Sequence, residues 1–574
     1  MSDLEISKKT VYEIFSGKAD FLIPDYQRPY SWERDQREIL WEDLKRFAFP
    51  AEKDFDADND EYFLGSIVTF RHDKNDKINE VIDGQQRLIT LMLLLRAFYE
   101  AFGKDNNRTR DRISECIWHL DKKDQLDKTH SKIKSEVATD EDIVEFEKII
   151  ENGKIERSAK SLYAQNYRYF QRKIKEFQNE IKDDDTKDFS DFPKRIIDNC
   201  IILPIVTGTQ DIAMRIFTTL NDRGLQLDDS DIFKAQFYKF FRSKGDSAKN
   251  KFIDRWKNFE KTCNDIFHPR KISKISDLFM KYMYYLMALE NIKSDTFPAV
   301  RDYFERDNYK ILRSEKTFDD LETLLEFWND IARRNSKKFP ERSLKRLYVL
   351  SYVPYSIWGN IVSLYFMGNR DSQNQLDDEK FYKFLNKITA MFLLQAIVQP
   401  GVQAIRRPFF LEFQNILHGR ELSFKDFRRD EHTIRTSFNN IKFSNQKDVT
   451  RSMLTWWAFN FEKQALPPID APLEIEHIYA INRAVEEPLE DEDNLELLGN
   501  KSLLEKSVNI RASDYQFIDK RQYYLDASHG TKIIELRRLA EKHETDFTEY
   551  DILERNEEII DAFIAYLDAN NLLR

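Results

Sequence analysis

The sequence predicts a mainly α-helical protein with an α+β domain at its N-terminus. Only 14 glycines and 15 prolines occur among 574 residues, which favours long helices over a sandwich or barrel. Hydrophobic residues make up 41% of the chain, enough for sizeable cores. Strand patterns fall mostly in the first 100 residues, whereas helical periodicity dominates residues 212–460.

The N-terminal elements follow in a strand, turn, helix order. Residues 62–70 (YFLGSIVTF) are rich in β-branched and aromatic side chains and predict a strand. Residues 80–82 predict a second strand, which ends at Asp83-Gly84. From Gln85 the apolar residues recur at helical spacing and predict a buried helix, and residues 201–206 (IILPIV) predict a returning strand.

Three regions are predicted along the chain. A stretch with three prolines, residues 466–472, is typical of a linker. We therefore predict an N-terminal domain at 1–245 with a charged helical insertion at about 100–195, a helical middle at 246–465, and a C-terminal domain at 466–574.

Several protein classes are excluded by composition. The three cysteines, Cys116, Cys200 and Cys263, are far apart and form no CxxC pair, which argues against disulfides and structural zinc. The N-terminus lacks the pattern of a secretory signal, and the longest apolar run is interrupted by Arg96. We therefore expect a cytoplasmic protein with no membrane association.

A local basic patch stands out against the net charge of −11. It could bind a DNA backbone, although a solvated helix face is the simpler interpretation. It contains Arg333, Arg334, Lys337, Lys338, Arg342, Lys345 and Arg346.

The C-terminal region contains an acid–histidine pair, Glu476-His477, at the end of an alternating strand. Asn500 and Asn509 follow it. This set resembles the requirements of an HNH (ββα-metal) nuclease, in which a histidine acts as general base on water. On this hypothesis Glu476 and Asn509 bind Mg²⁺, Mn²⁺ or another divalent ion, and Asn500 pins the loop and orients His477. A buried core histidine is the alternative.

The same residues resemble the C-terminal HNH domain of the GmrSD family of type IV, modification-dependent restriction enzymes, relatives of SspE-type and BrxU-type phage-defence proteins. The resemblance rests on residues 476–479 (EHIY), 498–504 (LGNKSLL), Asn509 and 513–520. Ala480 stands where the family usually has proline, which leaves the geometry of this loop open.

The N-terminal half also resembles this family. The matching segments are residues 23–32 (IPDYQRPYSW), 62–67 (YFLGSI), 81–90 (VIDGQQRLIT) and 217–224 (FTTLNDRG). The resemblance implies a ParB/sulfiredoxin-like fold that hydrolyses a nucleoside triphosphate (GTP, UTP, CTP or ATP) at the DGQQR motif and senses modified DNA. We assign Tyr26, Tyr30 and Trp32 to this sensing.

The DGQQR motif also makes physical sense as a phosphate site. Unpaired N–H groups at a helix start attract an anion. Arg28 and Arg87 could add bidentate contacts, and Asp83 could hold a metal ion. The remaining candidates are Gly84, Gln85, Gln86 and Gln27, with Asn221 and Arg223 from the later turn. Alternatively, the aromatic residues form a core and Arg87 pairs with an acid.

These observations lead to one hypothesis and two alternatives. The hypothesis is a modification-dependent endonuclease that cuts double-stranded phage DNA and couples cleavage to nucleotide hydrolysis. A homodimer is plausible because one HNH site nicks a single strand. The alternatives are a nucleotide-dependent DNA-binding regulator with an inactive HNH domain, and a broad nuclease toxin that acts by abortive infection.

Overall fold

The computed structural model divides into two compact units, residues 1–257 and 258–574. The predicted helical middle and C-terminal regions thus belong to one compact unit for most of their length. The structure describes all residues except 1–3, 18, 51–53, 72–76, 104–106, 121–125, 138–141, 183, 185–186, 210–211, 214–215, 217–228, 267–274, 293–296, 470, 472 and 514–515.

The first unit is built on a mixed sheet of seven strands. Its order is β1-β9-β4-β5-β3-β8, with β2 also paired to β9. The central pair β4–β9 is parallel, and β4–β5 is antiparallel. The strands of this unit, including the separate β6–β7 pair, are β1 (Glu5–Ile6), β2 (Lys9–Thr10), β3 (Asp20–Ile23), β4 (Tyr62–Phe70), β5 (Ile78–Asp83), β6 (Trp118–Leu120), β7 (Leu126–Ser131), β8 (Ile133–Ser135) and β9 (Cys200–Thr207).

Helices cover this sheet and supply most of the first unit's core. They are α1 (Val11–Phe15), α2 (Arg34–Ala48), α3 (Gln85–Ala101), α4 (Arg108–Ile117), α5 (Ile143–Asn152), α6 (Leu162–Glu180), α7 (Asp191–Asn199) and α8 (Asp229–Ser243). Almost every residue of α3 is buried, because the helix packs against both α4 and α6. A ninth helix, α9 (Asp246–Asp265), contains the boundary between the units.

Over the described part of residues 258–574, the second unit is helical apart from one hairpin of β10 (Leu473–His477) and β11 (Lys501–Glu505). Its helices are α10 (Ile275–Leu289), α11 (Val300–Tyr309), α12 (Glu315–Ala332), α13 (Glu341–Leu350), α14 (Ile357–Asn369), α15 (Asp378–Val398), α16 (Val402–Leu411), α17 (Phe413–Leu417), α18 (Glu431–Asn439), α19 (Asp448–Ala458), α20 (Ile481–Glu486), α21 (Lys506–Ala512), α22 (Phe517–Leu525), α23 (Ile534–Lys542) and α24 (Glu549–Ala569).

The observed content confirms the predicted fold class at its coarse level. Helix accounts for 60% of the residues that the structure describes and strand for 11%, with the larger sheet confined to the N-terminal unit. The predicted strand at 62–70 and the helix that begins at Gln85 are confirmed residue for residue at these bounds. Within the described residues one helix, α15, is long and apolar enough to cross a bilayer, and 78% of its apolar window is buried in the protein, as in a core helix.

Candidate active site and nucleotide-binding motif

The β10–β11 hairpin places His477 directly opposite Lys501. Directly opposed residues of an antiparallel pair project from the same face of the sheet, so the two side chains meet. Alternation along β10 sends Glu474 and Glu476 to the other face. The side chains of Glu476 and His477 therefore lie on opposite faces of β10, in different surroundings.

The imidazole of His477 lies in a cluster of polar side chains. Its Nε2 atom is 2.7 Å from Lys501 Nζ and 3.2 Å from Glu496 Oε1, and its Nδ1 atom is 3.4 Å from Asn445 Nδ2. Lys501 also donates to Glu496 Oε2 at 3.0 Å and to Asn445 Oδ1 at 2.8 Å. Lys501 is fully buried, so this cluster completes the hydrogen bonding of an ammonium group that water does not reach.

The surroundings of His477 favour its neutral form. Burial lowers the pKa of His477 to about 4, and the positive charge of Lys501 adds to this effect against the opposing carboxylate of Glu496. Burial also lowers the pKa of Lys501, although Glu496 opposes it. A neutral imidazole at neutral pH can accept a proton, as a general base must, and the lowered pKa makes His477 a weaker base than an ordinary histidine.

Glu476 is held on the opposite face by two residues of α22. Its Oε1 atom accepts hydrogen bonds from Lys520 Nζ at 2.5 Å and from the Tyr524 hydroxyl at 2.8 Å. Lys520 and Tyr524 are four residues apart and so share one face of the helix. Lys520 also donates to the backbone oxygen of His477 at 2.6 Å. The ion pair between Lys520 and Glu476 is almost fully buried.

The two predicted metal ligands make their hydrogen bonds with different partners. Asn509 Nδ2 donates to Glu474 Oε2 at 2.7 Å, whereas Glu476 is bound by Lys520 and Tyr524. Within the residues that the structure describes, no three His, Cys, Asp or Glu side chains are grouped to hold a metal ion. Carboxylate and amide oxygens nevertheless suit Mg²⁺ chemically, and Glu474 adds one such donor on the face of Glu476.

Asn500 fixes the chain that leaves β10. Its Oδ1 atom accepts from the Tyr479 N–H at 2.7 Å, and its Nδ2 atom donates to the Tyr479 and Leu495 carbonyls, both at 3.1 Å. These bonds connect Asn500 to the backbone on both sides of the loop that leaves β10. The amide that lies beside the imidazole belongs to Asn445, so the structure brings Asn445 and not Asn500 to the second ring nitrogen of His477.

A buried ion pair supports this loop from α24. Arg555 donates to the backbone oxygens of Leu498 at 2.9 Å and Gly499 at 2.7 Å, and its guanidinium pairs with Glu535. Glu535 in turn accepts a 2.7 Å hydrogen bond from the Ser502 hydroxyl in β11. The segment that carries Asn500 and Lys501 is thus fixed at both ends.

The backbone at Ala480 retains the conformation that a proline would impose. Its φ is −68°, close to the value that the pyrrolidine ring fixes, and it forms the N-terminal cap of α20. The alanine in place of the family's proline is therefore compatible with the same local loop geometry.

The N-terminal DGQQR motif lies at the junction of β5 and α3. Gly84 forms this junction with φ at +94°, a conformation that favours glycine. A Cβ atom here would also lie 2.9 Å from Ile67 Cγ1 of the neighbouring strand. The tight turn places Asp83 at the end of β5 and the glutamines in the first turn of α3.

The glutamines attach the preceding segment, residues 24–31, to this junction. Gln27 Nε2 donates to the carbonyls of Val81 and Ile82 at 3.3 and 3.1 Å. Gln86 accepts from the Ser31 N–H at 2.7 Å and donates to the Pro29 carbonyl at 3.0 Å, and Gln85 donates to the Arg28 carbonyl at 3.4 Å. These amides position the backbone that carries Arg28.

Asp83 and the two arginines form the charged part of the motif. Burial raises the pKa of Asp83, while the Gly84 N–H and the charges of Arg87 and Arg28 oppose that rise. Arg87 donates to the Ser66 carbonyl at 2.8 Å, and burial lowers its pKa against the charge of Asp83. Arg28 is exposed, so the side chain of this arginine is accessible to an anion.

The aromatic residues assigned to DNA sensing have protein partners. Tyr26 is buried beside Tyr238, with ring centroids 4.9 Å apart. Tyr30 is buried against Tyr163, and its hydroxyl lies 2.7 Å from Thr90 Oγ1. Trp32 is partly buried against the core. Their positions match the core alternative more closely than a surface that contacts DNA.

Two predicted residues, Asn221 and Arg223, lie outside the described residues.

The basic patch is described throughout, and carboxylates neutralise much of it. Lys338 lies 2.7 Å from Asp330, Arg342 lies 2.9 Å from Glu379, and Lys345 lies 3.1 Å from Glu341. Arg334 donates to the Pro467 carbonyl, whereas Arg333 and Lys337 are exposed.

Sequence reasoning missed three residues that contact the candidate active site. Asn445 precedes the proline-rich stretch, and Glu496 and Lys501 flank Asn500. The one signal for these contacts was Lys501, which lies between Asn500 and the apolar Leu503-Leu504. A lysine buried at such a position needs a polar partner.

Comparison with known families gives two matches. Residues 11–238 match the model described as the N-terminal domain of GmrSD restriction endonuclease. Residues 428–562 match the model described as the C-terminal domain of GmrSD restriction endonucleases. A comparison with curated proteins found no significant match. The second match includes His477 together with Asn445, Glu496 and Lys501.

Proposed function

This chain belongs to the GmrSD restriction endonuclease family, and from that membership we propose that it is a modification-dependent endonuclease of phage defence. The family is one of DNA-cleaving enzymes, so DNA is the substrate. The proposal adds that cleavage takes place in an HNH-type site at His477, that it depends on a divalent metal ion, and that it responds to modified bases and to a nucleoside triphosphate.

The observation that carries the proposal is the environment of His477. Its pKa of about 4 leaves the imidazole neutral at neutral pH, in a cluster that limits its orientation. We assign His477 the removal of a proton from the water that attacks the scissile phosphate. Because Lys501 occupies Nε2 in this structure, the ammonium must give way before that nitrogen can accept the proton.

Lys501 also stabilises the transition state in this proposal. Once its ammonium no longer bonds Nε2 of His477, it lies beside the reacting phosphate, where a positive charge stabilises the negative charge that develops. Glu496 and Asn445 keep Lys501 close to the imidazole.

Glu476 and Asn509 remain the proposed ligands of Mg²⁺ or Mn²⁺, with Glu474 as a further oxygen donor. A divalent ion held there would supply positive charge for the phosphate and the leaving oxygen. Glu476 and His477 project from opposite faces of β10, so the hairpin must rearrange before the ion and the imidazole act on one phosphate. The ion would have to share Glu476 with Lys520, which already balances its charge.

The DGQQR motif is the proposed site of nucleotide hydrolysis. Arg87 and the exposed Arg28 would contact phosphate oxygens beside Asp83, and the glutamines would hold the segment of residues 24–31 in place. In an Arg87→Gln variant, nucleotide turnover should fall while the His477 site stays intact. Arg108→Gln, which changes an exposed arginine at the start of α4, is the matched control.

Cleavage of matched DNAs tests the whole proposal. Plain DNA and DNA with modified cytosine are incubated with Mg²⁺, with and without a nucleoside triphosphate. Wild-type protein should cut the modified DNA, and His477→Ala should not, although it folds and turns over nucleotide normally. His432→Ala, at an exposed histidine of α18, should cut like the wild type. Retained cleavage in His477→Ala would overturn the assignment of His477.

A second candidate function is a nucleotide-dependent DNA-binding regulator whose nuclease site is inactive. Two ammonium groups favour it, since Lys501 occupies the candidate base and Lys520 the candidate metal ligand. Calorimetric titration of wild type and Glu476→Gln with Mg²⁺ and Mn²⁺ separates the two functions. The regulator would bind DNA but show no metal binding that depends on Glu476.

A further inference from the structure

A cavity of about 630 Å³ lies within the second unit, away from the residues assigned to cleavage. The first part of α15 forms one wall, and the end of α24 together with the turn at residues 419–422 forms another. Arg346 of α13 and Tyr365 of α14 complete the lining. A cavity of this volume is in the range of pockets that bind small organic ligands.

The lining of this cavity is strongly basic. Arg346, Lys380, Lys383, Lys387 and Arg420 contribute five cationic side chains, against the single carboxylate of Glu421. Lys380, Lys383 and Arg420 are exposed, whereas Lys387 is 8% exposed. Positive charge therefore extends from the surface into the protein, which favours an anionic ligand.

The buried ammonium of Lys387 has one hydrogen-bond partner among the described residues. It donates to the backbone oxygen of Asn570 at the end of α24. Within the described part of the chain, no carboxylate lies within 4.0 Å of it. Burial lowers the pKa of Lys387 and the nearby Arg428 lowers it further, whereas the carboxylates of Glu421 and Glu412 oppose this shift from beyond ion-pair distance. Burying an ammonium with a single carbonyl partner is costly, and a bound anion would remove that cost.

Arg346 is a second cation of the lining whose hydrogen bonding is incomplete. Its Nη1 atom is buried and, among the residues that the structure describes, has no hydrogen-bond partner. The guanidinium carbon lies 5.3 Å from the ring centroid of Tyr566. An arginine held against an aromatic ring with an unused N–H is well suited to a phosphate oxygen.

Aromatic side chains provide the other half of the recognition chemistry. Tyr382 and Tyr566 line the cavity and are partly exposed, and Tyr365 is buried there. Burial raises the pKa of Tyr382, but the hydrogen bonds of Asn386 and Arg346 and the charges of Arg346 and Arg342 outweigh it and lower the pKa overall. The tyrosine ring thus lies in a positive potential, next to cations that can bind a phosphate.

From this combination we propose that the cavity binds a nucleotide unit. Arg346 and Lys387 bind its phosphate, and Tyr382 and Tyr566 contact its base, because aromatic rings stack on bases and guanidinium groups bind phosphates. A bare phosphate would fill only a small part of the volume. The nucleotide comes either from solution or from a DNA strand with an extruded residue.

Equilibrium binding on the full chain tests this proposal, and cleavage activity does not enter the measurement. The protein carries Arg87→Gln, so that the proposed N-terminal site does not contribute. The probes are AMP, inorganic phosphate and a short single-stranded oligodeoxynucleotide, each titrated by calorimetry. We expect AMP or the oligonucleotide to bind, and Arg346→Gln to weaken that binding by about tenfold.

Two further variants keep the result interpretable. The double variant Lys380→Gln/Arg420→Gln changes only exposed side chains, so it should weaken binding without affecting folding. Lys345→Gln removes a neighbouring cation that does not line the cavity and should bind like the parent protein. Binding by AMP identifies a free nucleotide, and binding by the oligonucleotide alone identifies a DNA strand. No binding, equal binding of AMP and phosphate, or binding unchanged in these cavity variants would each overturn the proposal.

Discussion

The ammonium of Lys501 lies 2.7 Å from Nε2 of His477, across a hairpin that sets the two residues directly opposite each other. The contact joins a fully buried lysine to the candidate general base. It ties the protonation of His477 to the charge of Lys501, because a nearby positive charge disfavours the imidazolium form.

Replacement of Lys501 by methionine should move the pH dependence of cleavage. Loss of the ammonium raises the pKa of His477 from about 4 toward its ordinary value, so the acidic limb of the pH–rate profile shifts to higher pH. We expect the variant to lose cleavage at about pH 5.5 relative to about pH 7.5, while the wild type does not. Lys506→Met, at an exposed lysine of α21, should follow the wild type. A profile unchanged in Lys501→Met would contradict this coupling.

His477 should also make folding less stable in acid. Its pKa is lowered on folding, so the unfolded chain binds the proton more tightly, and stability falls as the pH drops below the ordinary histidine pKa. Between about pH 7 and pH 5 we expect His477 to account for about 1–2 kcal/mol of lost unfolding free energy. Urea unfolding of wild type and His477→Gln measures this. An identical pH dependence of the unfolding free energy in the two proteins would show that folding does not lower the pKa of His477.

The buried pair of Lys520 and Glu476 should be costly to break. Lys520→Met leaves the Glu476 carboxylate buried without a counter-charge, and we expect it to lower the unfolding free energy by about 3–5 kcal/mol. Lys532→Met, at an exposed lysine, should have little effect. In a double variant that also carries Glu476→Gln, the total loss should be smaller than the sum of the single losses. Additive losses would mean that the two groups do not interact.

Gly65 of β4 should be intolerant of any side chain. Its φ is +113°, and an added Cβ would lie 2.8 Å from the guanidinium carbon of Arg87. Gly65→Ala should therefore displace Arg87 and reduce nucleotide turnover, with a loss of stability of about 1–3 kcal/mol. Gly103 also has a positive φ, but no described atom lies within 4 Å of an added Cβ there, so Gly103→Ala separates backbone strain from the contact. Equal effects at both glycines would exclude a specific role for the Arg87 contact.

The sequence was sufficient for elements whose local pattern is strong. The β4 and β5 strands and the α3 helix have continuous apolar patterns, and the Asp83-Gly84 turn marks their junction, so each was predicted correctly. The sequence singles out His477 for the same reason, as a polar residue that ends an alternating strand, and its role in cleavage stays a prediction.

The partners of these residues depend on contacts between distant segments. The lysine beside His477 follows from the register of β10 with β11, and the amide beside it comes from Asn445, 32 residues earlier. Neither relationship has a periodic signal in the chain. Tyr26 and Tyr30 show the converse problem, since the sequence of an aromatic motif does not reveal whether its rings are buried.

The hairpin depends on residues that precede the proline-rich stretch. Asn445 contacts both His477 and Lys501, the Phe443 N–H donates to the Glu496 carbonyl at 3.0 Å, and Arg451 donates to the Leu473 carbonyl. The hairpin that carries His477 therefore depends on contacts that a cut at residue 466 would remove. A truncated or chimeric protein would need to keep the chain from α18 onward, so that it contains the residues that hold the hairpin in place.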